Sequence, residues 1–107
     1  MDAWETFVHL FDALDAQYDE APNAVLGDYL SNMNPFLFAG QGSADPAEFA
    51  EFEHDFAKDF PDGQASPELA YAFCCKRLGQ ETNPLIPSVF AKVTQEDWCD
   101  AWEHRKD

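Results

Sequence analysis

Four phenylalanines, Phe49, Phe52, Phe56 and Phe60, recur at three- and four-residue spacing behind the start signal Asp45-Pro46-Ala47-Glu48. That signal combines an N-cap carboxylate, a proline at the first helical position and a glutamate at the third. A ring at every turn along one side of a helix has to be covered by other elements, so the stripe commits the chain to packing helices around it. Glu48, Glu51, Asp55 and Asp59 fall on its far side. Phe60-Pro61-Asp62-Gly63 then stops the helix in a turn.

The same grammar holds elsewhere. A first helix is expected over 3–19. Trp4, Phe7, Phe11, Leu14 and Tyr18 repeat on one face, Val8 widens it, and Asp2 with Glu5 forms a capping box. A second helix is expected over 22–33, with Pro22 in its first turn. Val25, Leu26, Tyr29, Leu30 and Met33 share a face, and Gly27 hints at close packing. The fourth helix, 67–78, starts at Ser66-Pro67-Glu68. It is apolar nearly all round, which favours a central place, and Gly79 reads as its left-handed cap. A connection with Pro84 and Pro87 follows, then a short helix over 88–93. Thr94 to Asp97 caps a last helix that presents Trp98, Ala101 and Trp102. No strand alternation, solenoid-length repeat or low-complexity tract interrupts this pattern. The expected fold is all-α: one domain, residues 1–107, a bundle of about five helices.

Between the second and third helices lies Asn34-Pro35-Phe36-Leu37-Phe38-Ala39-Gly40-Gln41-Gly42-Ser43-Ala44-Asp45. Its proline and glycines break a helix, yet its Phe-Leu-Phe core is too apolar for an ordinary solvated loop. Long aromatic/Gly loops of this kind carry function more often than short ones do. Phe36 and Phe38 are either a plug between helices or an exposed contact site.

Charge narrows the partners. The net charge is −15, and residues 1–57 hold twelve acids with no Lys or Arg, against nine acids and six bases in 58–107. Binding to phosphate backbones and anionic membranes rests on cations, so neither nucleic acid nor a membrane is an expected partner. A basic protein surface is, because acids steer such encounters. The competing explanation is a general acidity that serves solubility. Three cysteines, two of them adjacent (Cys74, Cys75, Cys99), do not make a disulfide framework. With an acidic opening and no bilayer-length apolar run, the expected location is a reducing cytoplasm.

Signatures of catalysis and cofactor binding are absent. Gly40-Gln41-Gly42 has no lysine behind it, and no zinc or EF-hand spacing occurs. Asp15 and Glu53 project among apolar residues. As an interior carboxylate pair they would suit a bundle metal site or an enzyme, with His54 as a further ligand and Lys76 as an alternative ion-pair partner. A structural ion pair is the preferred reading of the two acids. Cys74 reads as a buried apolar residue, Trp98 and Trp102 as core, and His9, His54 and His104 as solvated. The leading expectation is a non-enzymatic, cofactor-free protein-binding module of the inhibitor, immunity or antitoxin kind. It would offer Glu48, Glu51, Asp55 and Asp59, with Phe36 and Phe38, to a basic partner. The alternatives are a metal protein or enzyme using Asp15, Glu53 and His54, and a homo-oligomer whose aromatic loop is its own interface.

Overall fold

The computed structural model describes residues 1–34, 46–81 and 83–106. The segment holding Phe36 and Phe38 therefore lies outside the described residues. Six helices are present among them: α1 (Ala3–Glu20), α2 (Ala24–Met33), α3 (Pro46–Asp59), α4 (Pro67–Leu78), α5 (Leu85–Phe90) and α6 (Gln95–Lys106). The described residues are all-α, six helices with the short α5 counted where the sequence suggests a bundle of about five, and no described helix is long and apolar enough to cross a membrane.

The helix starts follow side-chain chemistry. The Glu5 amide donates to the Asp2 carboxylate at 2.7 Å, and the Asp2 amide donates to Glu5 Oε1 at 2.9 Å. This reciprocal box satisfies amides that a helix end otherwise leaves bare. Ser66 Oγ accepts from the Leu69 amide at 3.2 Å, and Thr94 Oγ1 from the Asp97 amide at 3.0 Å. Helix α2 starts later than its spacing implies. Asn23 is the cap, its side chain accepting from the Val25 and Leu26 amides, and Pro22 precedes the helix instead of sitting in its first turn. Helix α5 starts earlier, at Leu85 rather than residue 88. Pro84 sits at its cap and Pro87 in its first turn, where a missing amide hydrogen costs nothing. Gly79 ends α4 in right-handed geometry, φ −64°, not in the left-handed cap expected of it. The chain there turns through i→i+3 bonds instead, Gln80 to Arg77 and Glu81 to Leu78.

Helices α2, α3 and α5 pack around α1, while α6 and α5 lie against α4. The short α5 touches α1, α2 and α4 and so joins the two groups. Their shared core is aromatic. Phe52 meets Phe7 of α1 edge-on at 5.1 Å and Phe73 of α4 at 5.3 Å, and it stacks on Phe56 at 6.4 Å. Offset and edge-on rings of this kind add to the stabilisation that area burial alone provides. Gly27 leaves room for a neighbour: a Cβ there would stand 3.2 Å from the Tyr18 ring, so the glycine lets α1 and α2 come together.

Two helix faces are less buried than their composition suggests. Val25 at 42% and Leu69 at 55% exposure stand in solvent. Helix α4 is thus a flank, not an all-round core helix: Ala70, Phe73, Cys74 and Leu78 face inward, and Ala72 and Cys75 are exposed. Cys74 is fully buried, and burial pushes its thiol far above the ordinary range, which makes it an inert core residue. All three cysteines are free.

Truncating the ring that joins three helices should be costly. Phe52→Ala is expected to lower unfolding free energy by about 3–5 kcal/mol in a urea titration, while Leu69→Ala at its exposed site changes it by less than about 1 kcal/mol.

Candidate functional site

Helix α3 carries the acids that the sequence singled out, and the structure gives two of them intramolecular partners. Arg77 of α4 donates to Asp55 and lies over the Phe52 ring, 5.3 Å from its centroid. Lys76 reaches Asp59 at 3.6 Å. Lys76 is thus the partner of an α3 surface acid, not of Asp15 or Glu53. Glu51 is exposed and Glu48 half-buried. The α3 face is a partly neutralised seam with α4 as much as it is an acidic surface.

The interior carboxylate pair does not form. Asp15 and Glu53 are both exposed, on helices α1 and α3, and His54 is exposed as well. Among the described residues no group of three His, Cys, Asp or Glu side chains is placed to hold a metal ion. Both acids sit at stripe edges, where a 100° projection cannot tell a flank from a core position.

Helix α1 carries a second set of acids. Asp12, Asp15 and Asp19 follow one another at three and four residues, the spacing of neighbours on a helix surface. Partial desolvation raises the Asp15 carboxyl above the ordinary range, and the charges of Asp19 and Asp12 raise it further. Neither Asp15 nor Asp19 has a cation partner among the described residues.

Beside that row the structure places a residue that the hydropathy pattern misassigns. His9 is 3% exposed, not solvated. Its Nε2 donates to the Trp98 carbonyl of α6 at 2.9 Å, which fixes the tautomer on that nitrogen. Its ring meets Trp98 edge-on at 4.4 Å and Trp102 at 5.7 Å. Trp98 and Trp102 are core, as their spacing suggests. His9 is therefore the bridge between the first and last helices. The signal for it was present: two tryptophans four apart need a partner surface, and an imidazole offers an aromatic edge with a donor.

Past this bridge α1 and α6 leave a cleft of about 340 Å³. Ala13 and Ala16 of α1, Ala101 of α6 and Val93 before α6 give it an apolar lining, and His9 and Trp98 line it as well. Asp12 and Asp97 stand on its two helical walls. The buried Trp98 Nε1 has no acceptor among the described residues. A smaller cleft of about 140 Å³ between α3 and α4 is lined by the ion-pair residues Asp55, Asp59, Lys76 and Arg77.

Comparison with protein-family models, with curated proteins and with solved structures gives no match to this chain.

The raised Asp15 carboxyl has a definite sign. The folded chain holds that proton more tightly than the unfolded chain does. The contribution to stability is present below the ordinary carboxylate pKa and is lost as pH rises through the raised value. At neutral pH the charge opposes folding. Asp15→Asn is expected to raise the melting temperature at pH 7 and to leave it nearly unchanged at about pH 3. Part of the gain should vanish in high salt, where repulsion from Asp12 and Asp19 is screened. Thermal unfolding of both proteins across pH and salt checks this.

Proposed function

We propose that this chain is a non-enzymatic, acidic protein-binding module, of the inhibitor, immunity or antitoxin kind, whose partner is a basic protein. The observation that carries the reading is the row Asp12, Asp15 and Asp19 on α1, where desolvation and then the neighbouring charges of Asp19 and Asp12 raise the Asp15 carboxyl. It belongs to a half-chain with twelve acids and no Lys or Arg. Side chains that repel one another in the free protein gain when a partner's cations arrive, and such a field also accelerates the encounter.

Glu48 and Glu51 of α3 extend the acidic surface in this reading. Asp55 and Asp59 contribute less, because Arg77 and Lys76 already partly neutralise them. The steering surface is thus α1 with the start of α3. Nucleic acid and anionic membranes remain poor partners on the same charge argument.

The test is affinity capture from an extract of the native host at low and at high salt, followed by kinetics with the retained protein. A basic protein held at about 50 mM salt and released at about 500 mM is expected, since screening shortens the reach of surface charge. Asp15→Lys combined with Asp19→Lys, both at exposed helix positions, should slow association about tenfold or more at low salt. An association rate indifferent to that double reversal would remove the steering argument.

A further inference from the structure

We draw no further inference here: the strongest candidate, the alanine-lined cleft of about 340 Å³ between α1 and α6, carries nothing because nothing in the structure shows what covers it.

Discussion

Phe52 is the contact on which the remaining geometry depends. Its ring touches Phe7 on α1, Phe56 on its own helix and Phe73 on α4, and it carries the Arg77 guanidinium on its outer side. An aromatic junction of this kind sets how far apart α3 and α4 stand, since neither backbone can approach more closely than the rings between them allow. The same junction places Arg77 where Asp55 can accept from it. Core shape and surface electrostatics are thus linked through a single side chain.

That link divides the acids into two populations. Those on α3 face a helix that brings two of the chain's six cations, and the excess charge there is relieved inside the molecule. On α1, Asp15 and Asp19 have no cation partner among the described residues, and α2 contributes no cation. The acidity of the molecule is therefore not spread evenly over its surface. It is concentrated on α1, where helical spacing keeps like charges side by side, next to the cleft between α1 and α6.

Much of the architecture was legible because local chemistry and tertiary packing agree. The Asp2–Glu5 box, the Ser66-Pro67 start and the Phe49 to Phe60 stripe each state a helix locally, and the fold needs a helix in the same place. The misreadings share a cause, since each depends on what lies across from a residue. His9 looks polar until two tryptophans are set against it. Val25 and Leu69 look like core until no helix covers them. Asp15 and Glu53 flank apolar stripes, and only the packing of α1 and α3 turns both outward. Gly79 offered a left-handed cap, and a pair of tighter turn bonds took its place. The α1–α6 cleft was hardest to foresee, because alanines at 13, 16 and 101 are ordinary separately and line a common cleft only where helices distant in sequence come together.

The His9 to Trp98 hydrogen bond spans 89 residues of sequence. Joining positions so far apart carries a larger loop-closure entropy than the α1–α2 and α1–α3 contacts, whose partners lie closer in sequence. The seam between the first and last helices is thus the natural closing event of folding, made once the aromatic junction has already brought both groups of helices together. Opening it parts His9 from Trp98 and Trp102, while the ring contacts of Trp98 with Tyr71 and Phe90 lie on the other side of α6. The chain's subglobal opening, as amide exchange would resolve it, should therefore run along α6 rather than through the phenylalanine centre.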